Sequence, residues 1–191
     1  PTRRSSDLCL HSRNVYSKPV QENDRKILNA WKEAYPELPK QIWAYYCFPA
    51  LSATQQQYRC FPGFFAHHLQ EQFKRFAEAG VTGFKFEPSY VYYERRSLLM
   101  DQLETYVTFK LADDPTRDAG KIIDEFFSGY YGKAAEPMSK MYRIIEDAFC
   151  DPANYPATGT YTNEIAWTKL GTEKRMAELG KVYRYERAGV L

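Results

Sequence analysis

Twice along this 191-residue chain an amphipathic helical stretch stops at a helix breaker and gives way within a few residues to a short apolar run. In the first instance Ile27, Leu28, Trp31 and Tyr35 recur at helical spacing behind a cap at Asn23-Asp24, and Pro36 ends the pattern. Residues 41–48 (QIWAYYCF) follow without a charge, apolar and aromatic nearly throughout, which is the composition of a strand covered on both faces. In the second instance Phe65, Leu69, Phe73 and Phe76 form the stripe and Gly80 stands where a C-terminal cap belongs. Residues 81–87 (VTGFKFE) follow at once and are closed by Pro88. Alternation puts Phe84 and Phe86 on one face of that strand and Gly83, Lys85 and Glu87 on the other. Leu99, Leu103, Tyr106, Val107 and Leu111 then mark a third helix. Helix, strand, helix, strand, helix is the order of βα units in a parallel sheet or barrel. Two strands do not close a barrel, so the others are expected before residue 9.

The remainder reads as helical. Asp113-Asp114-Pro115 is taken as a helix opening with Pro in the first turn, followed by an apolar face at Ile122, Ile123, Phe126 and Phe127. Gly129-Tyr130-Tyr131-Gly132 follows a helix rather than a strand, so it is neither a phosphate loop nor a dinucleotide fingerprint; it reads as a helix break that buries two Tyr rings. Met138, Met141, Ile144, Ile145 and Ala148 form another face, and Ile165, Trp167, Leu170, Met176, Leu179 and Val182 suggest one or two more helices. Residues 150–161 are the clear linker. Three regions are therefore expected: residues 1–8 as a non-native, adapter-like start without an initiator Met, residues 9–112 as the C-terminal portion of a (β/α) barrel, and residues 113–191 as a helical extension packed on it. Truncation at both ends is expected.

The charges exclude some partners. Lys and Arg total 26 against 24 Asp and Glu, interleaved along the chain, so no basic stripe marks a nucleic-acid or lipid surface. No apolar run approaches the roughly 20 residues of a membrane-spanning helix. Cys9, Cys47, Cys60 and Cys150 lack the paired short spacings of zinc or dithiol sites and read as ordinary buried thiols, with a Cys47–Cys60 disulfide as a minor option outside the cytoplasm. No cofactor and no metal is expected.

In barrel enzymes chemistry sits where strands end and loops begin, here at residues 45–49, 85–93 and, if an earlier strand has been lost, 9–16. Glu87 is the most informative residue, a carboxylate on the last position of a strand beside Lys85. It can pair with Lys85, cap the next helix, contact substrate or act in catalysis. Glycoside hydrolysis needs two carboxylates flanking the bond, and one candidate is visible. Trp43, Tyr45, Tyr46 and Tyr90 cluster at the same strand ends with Tyr92 and Tyr93, where flat amphipathic rings could stack on sugars or simply pack in a core. His11 is a further candidate for the barrel mouth. His67-His68 lies on a helix, where neighbouring side chains point about 100° apart and cannot chelate one metal together, and reads as surface or capping residues.

The run Ile42-Trp43-Ala44-Tyr45-Tyr46, the segment from Gly80 to Glu87, and the block from Leu111 through Asp114-Pro115 to Tyr130-Tyr131-Gly132 together resemble one family. It is a family of large bacterial proteins carrying an uncharacterised domain similar to a glycoside-hydrolase (β/α)8 barrel of TIM type, distantly like alpha-glucuronidases and beta-hexosaminidases. The resemblance covers roughly residues 9–149. It implies an α/β fold made of the last two barrel strands and their helices, a helical region behind them, and glycan breakdown outside the cytoplasm. The catalytic pair of the related hydrolases sits largely on middle strands, so no catalytic residue carries over; Glu87 carries over as the carboxylate ending the last strand. The intact protein is thus expected to be a glycoside hydrolase acting on a poly- or oligosaccharide, with Glu87, Tyr45, Tyr46 and Tyr90 lining the sugar pocket, Lys85, Trp43 and His11 beside them, and this piece inactive by itself. The alternatives are a non-catalytic carbohydrate-binding barrel and a helical interaction module.

Overall fold

The computed structural model describes residues 6–10, 12, 14–46, 61–87, 102–160 and 162–189. Their order is β1 (Ser6–Leu10), α1 (Lys18–Ala34), β2 (Lys40–Tyr45), a 3-10 turn (Ala66–His68) leading into α2 (Leu69–Glu78), β3 (Val81–Glu87), α3 (Gln102–Asp113), α4 (Ala119–Tyr131) and α5 (Ala135–Cys150). A short helical segment follows, Asn163–Ile165 passing into a π-helix at Ala166–Leu170, and then α6 (Glu173–Gly189). The protein is a mixed α/β chain, mostly helical, around a three-stranded parallel sheet in the order β1-β2-β3.

The first strand corrects the expectation of two strands. Ser6–Leu10 pairs in parallel with β2, Leu8 opposite Ile42 and Leu10 opposite Ala44, so part of the stretch set aside as a non-native start lies in the sheet. Strand β2 runs from Lys40 to Tyr45 and meets β3 with Ile42 opposite Phe84 and Ala44 opposite Phe86, after a one-residue irregularity at Lys40/Gln41.

Helix boundaries follow local chemistry. Helix α1 starts earlier than Asn23-Asp24 suggests, because the buried Ser17 side chain accepts the Val20 N–H and Pro19 presets the first turn. Its end is held by Lys40, 1% exposed, whose Nζ donates to the carbonyl oxygens of Tyr35 at 2.8 Å and Leu38 at 3.2 Å. A cation at a helix C-terminus is favourably placed. Asp114 and Pro115 do not open a helix: the Asp114 carboxylate turns back to accept from the N–H and hydroxyl of Thr116, and α4 begins after Asp118, which caps Lys121 N–H. Those contacts also hold the Asp114 carboxyl below its usual range. Gly132, at φ +54°, ends α4 as expected, but Tyr130 is 55% exposed, so the break does not bury both rings.

One face of the sheet carries the core. Ile42 and Ala44 are fully buried, and Phe84 packs against Phe73 and Phe76 of α2 with ring centroids 5.0 and 5.9 Å away. Phe86 meets Phe109 of α3 edge-on. The helical region continues this core: Phe126 of α4 lies on Tyr106 of α3, and Tyr142 of α5 stacks on Phe64 at 4.2 Å. The described part of the expected linker, residues 151–160, is a packed strap, since Tyr155 is buried, stacks on Tyr16 at 3.9 Å and donates its hydroxyl to the Phe149 carbonyl.

Tyr46 follows β2 and is 1% exposed, its ring among Phe65, Phe84 and Phe86 and its hydroxyl 2.7 Å from Thr108 Oγ1 on α3. It ties sheet to helix layer. Tyr46→Phe is expected to lower stability by about 1–2 kcal/mol in urea unfolding, the cost of losing one buried hydrogen bond; an unchanged midpoint would remove that tie from the energetics.

Candidate functional site

The sheet's other face brings together three of the residues singled out at the strand ends, Trp43, Tyr45 and Lys85. Side chains alternate along β2, so Ile42 and Ala44 point to the helices while Gln41, Trp43 and Tyr45 stand on the opposite face, Trp43 and Tyr45 only partly covered. Parallel register sets exposed Cys9 of β1 and exposed Lys85 of β3 on either side of Trp43. The rings of Trp43 and Tyr45 lie 5.8 Å apart and nearly parallel, at 17°. Lys85 Nζ sits 3.9 Å over the Trp43 ring, a cation–π contact. Gly83 leaves room for Gln41, whose Cγ would lie 2.9 Å from a Cβ at that position. The indole Nε1 of Trp43 is covered and meets no acceptor among the described residues. This face therefore offers a flat aromatic pair with an ammonium beside it.

Glu87 pairs with Tyr45 in the backbone register at the end of β3. Its side chain, together with His11, Tyr90, Tyr92, Tyr93, Cys47 and Cys60, lies outside the described residues. Tyr46 does not join Tyr45 and Trp43: it occupies the helix-covered face, where its ring is part of the core.

A second constellation surrounds the start of α2. The opening N–H groups of a helix lack partners within it, and here no side chain of the turn itself supplies one. Two buried carboxylates reach in from other helices instead. Glu104 Oε1 of α3 accepts the Phe65 N–H at 2.9 Å, and Glu146 Oε1 of α5 accepts the His67 N–H at 2.9 Å. The other oxygen of Glu146 meets His67 Nδ1 at 2.6 Å. Beside them, Cys150 is buried and its thiol donates to the Phe64 carbonyl at 3.3 Å. Ligand atoms of His68, Glu146 and Cys150 all lie within 4.8 Å of one another. Burial pushes the Cys150 thiol far up, reinforced by the carboxylates of Glu146, Glu104 and Asp147; burial also lowers His68, with Glu146 opposing. Of the four cysteines expected to be buried, Cys150 is, whereas Cys9 is exposed.

Residues 8–143 match the family model of a domain of unknown function, DUF4838. The chain belongs to this family. The DUF4838 region runs from within β1 into α5 and so holds Cys9, Gln41, Trp43, Tyr45 and Lys85 of the open face, together with Glu104 and the start of α2. Glu146 and Cys150 lie just past its end. No curated protein and no solved structure matches the chain.

Sequence reasoning missed Glu104 and Glu146. Each was flagged only by its place inside an apolar stripe, Glu104 next to Leu103 and one turn before Val107 and Thr108, Glu146 next to Ile145 and before Ala148 and Phe149. A charge on the buried side of a helix implies a partner from elsewhere in the fold.

Proposed function

We propose that this DUF4838 chain is part of a glycoside hydrolase-like protein that acts on a poly- or oligosaccharide, and that its three strands belong to a larger (β/α) barrel. The observation that carries the reading is the open face of the sheet: Trp43 and Tyr45 near parallel, with Lys85 over the indole, on the side opposite the helices. Aromatic rings present apolar faces to the C–H side of a sugar, and an adjacent ammonium donates to hydroxyl or carboxylate oxygens. Support for the barrel comes from the parallel pairing, from helices packed on one face, and from the outer edges of β1 and β3, which have no strand partner among the described residues. Glu87, ending β3 opposite Tyr45, is the carboxylate nearest in register to this platform. Hydrolysis requires a second carboxylate, which we assign to strands of the intact protein outside this chain.

The test is binding. Against a panel of neutral and acidic oligosaccharides, calorimetry is expected to find saturable binding, with Trp43→Ala weakening it roughly 10-fold or more. Binding by Trp43→Ala as tight as by the parent, or binding of no glycan at all, would sink the proposal.

A second reading, a helical interaction module, draws on Trp167, Met176 and Tyr183, which are exposed by 46–55%. Met176 and Tyr183 are two turns apart on α6 and share a face. A stable complex that survives Trp43→Ala and is lost with Met176→Glu would favour it.

A further inference from the structure

We propose that His68, Glu146 and Cys150 form a binding site for a divalent cation of the zinc class, separate from the open face of the sheet. The three side chains come from two elements that α2 and α5 bring together. Glu146 and Cys150 are four residues apart on the last turns of α5, so one stands directly over the other, the spacing by which a single helix presents two ligands to one ion. His68 closes the 3-10 turn ahead of α2 and supplies an imidazole from the facing side. Their ligand atoms already lie within 4.8 Å of one another. Around an ion with bonds of about 2.0–2.3 Å, tetrahedral ligands stand somewhat closer together, so rotamer adjustments suffice and no backbone need move.

The donor set selects the metal. Thiolate, imidazole and carboxylate together suit Zn²⁺, whereas Ca²⁺ and Mg²⁺ require oxygen ligands throughout. The surroundings favour a cation as well: Glu146 is 3% exposed at its side chain, and Glu104 and Asp147 add negative charge against one nearby guanidinium, Arg143. His67 acts behind the ion. Its Nδ1 holds Glu146 Oε2 at 2.6 Å and fixes the carboxylate, the role that outer partners play in built metal sites. Only one of the two adjacent histidines is a ligand, as their divergent directions on the turn require. Loading the site exchanges one proton for the metal: Cys150 S–H loses its proton to solvent, a Zn–S bond forms, and the Phe64 carbonyl loses its thiol donor. Three protein ligands leave a fourth position on the side of His68, which is at the surface and gives the ion its way in.

Metal-free chain, kept reduced, is titrated with Co²⁺ and then with Zn²⁺ in competition with a chromophoric chelator. One equivalent of Co²⁺ is expected to produce a thiolate-to-cobalt charge-transfer band and the intense visible absorption of a tetrahedral site, with Zn²⁺ displacing it at a Kd tighter than roughly 1 μM. Cys150→Ser removes the charge-transfer band although Cys9, Cys47 and Cys60 remain. His68→Asn, a surface change that leaves the core intact, weakens Zn²⁺ at least about 10-fold, and His67→Ala weakens it by roughly 10-fold through Glu146. A band unchanged in Cys150→Ser, or Zn²⁺ binding unchanged in His68→Asn, overturns the site. So does the absence of any band in the parent chain. Circular dichroism of each variant separates loss of ligand from loss of fold, and His68→Asn decides the matter should Cys150→Ser unfold. Glycan binding at Trp43 is unaffected by any of these outcomes.

Discussion

Glu104→Ala is expected to lower the stability of the chain by about 3 kcal/mol, and Glu104→Gln by about 1. Glu104 is 1% exposed and its Oε1 accepts the Phe65 N–H at the entry to α2. Removing the side chain leaves that N–H buried without its acceptor, which costs about 1–3 kcal/mol, and opens a cavity under Phe65 worth a further 1–2. Release of a desolvated carboxylate offsets part of the sum. Gln keeps the shape and a carbonyl acceptor, so its smaller cost isolates the contribution of the charge. The consequence reaches beyond one bond, because Phe65 also meets Tyr46 edge-on at 5.1 Å and thereby supports the underside of the sheet. Urea unfolding of both variants checks this, and equal losses for Ala and Gln would mean that the carboxylate charge, rather than shape or a neutral acceptor, is what α2 requires.

Gly159→Ala should be nearly as damaging, by about 2–4 kcal/mol. Gly159 has φ +66°, a conformation that costs an L-residue energy wherever it occurs. Here the space is closed as well: a Cβ would fall 2.7 Å from Ser17 Cβ and 3.1 Å from its Cα, besides striking the hydroxyl. Ser17 is fully buried and caps α1, so it cannot yield without loosening the helix start. The strap that includes Tyr155 would be lifted instead, weakening its stack on Tyr16 and, through Tyr16, the edge contact with Phe149 at 5.2 Å. Pairing Gly159→Ala with Ser17→Gly separates the two causes. Relief of the clash makes the double variant more stable than additivity allows, whereas purely additive losses would assign the whole effect to φ.

What the sequence discloses depends on whether a signal is local. Strand β3 is legible at both ends, since Gly80 at φ +76° and Pro88 bound it and the alternation of Phe84 and Phe86 with Gly83 and Lys85 is unbroken. The face of β2 is legible only in phase: alternation states that some of Trp43, Tyr45 and Tyr46 meet the helices, and tertiary packing decides that it is Tyr46. Strand β1 was invisible because five residues, SDLCL, become a strand through pairing with β2, a contact more than thirty residues away in sequence. Glu104 and Glu146 were hidden for a similar reason. Their acceptors serve N–H groups of another helix, 39 and 79 residues distant, which helical periodicity has no means to register. Asp114-Pro115 misled because Asp can turn onto its own neighbours as readily as it caps a helix. Trp43, Tyr45 and Lys85 stand out in the sequence only as residues near strand ends, and their geometry, with Lys85 over Trp43, comes from register between strands.

The most direct measurement is a proton–nitrogen correlation spectrum of the three tryptophan indoles, Trp31, Trp43 and Trp167, assigned by Trp→Phe substitution and followed as an oligosaccharide is added. If the open face of the sheet is the sugar platform, the Trp43 resonance moves with saturation while Trp31 and the exposed Trp167 stay in place. Movement of Trp167 with Trp43 unmoved, or no movement of any indole at saturating glycan, would contradict it.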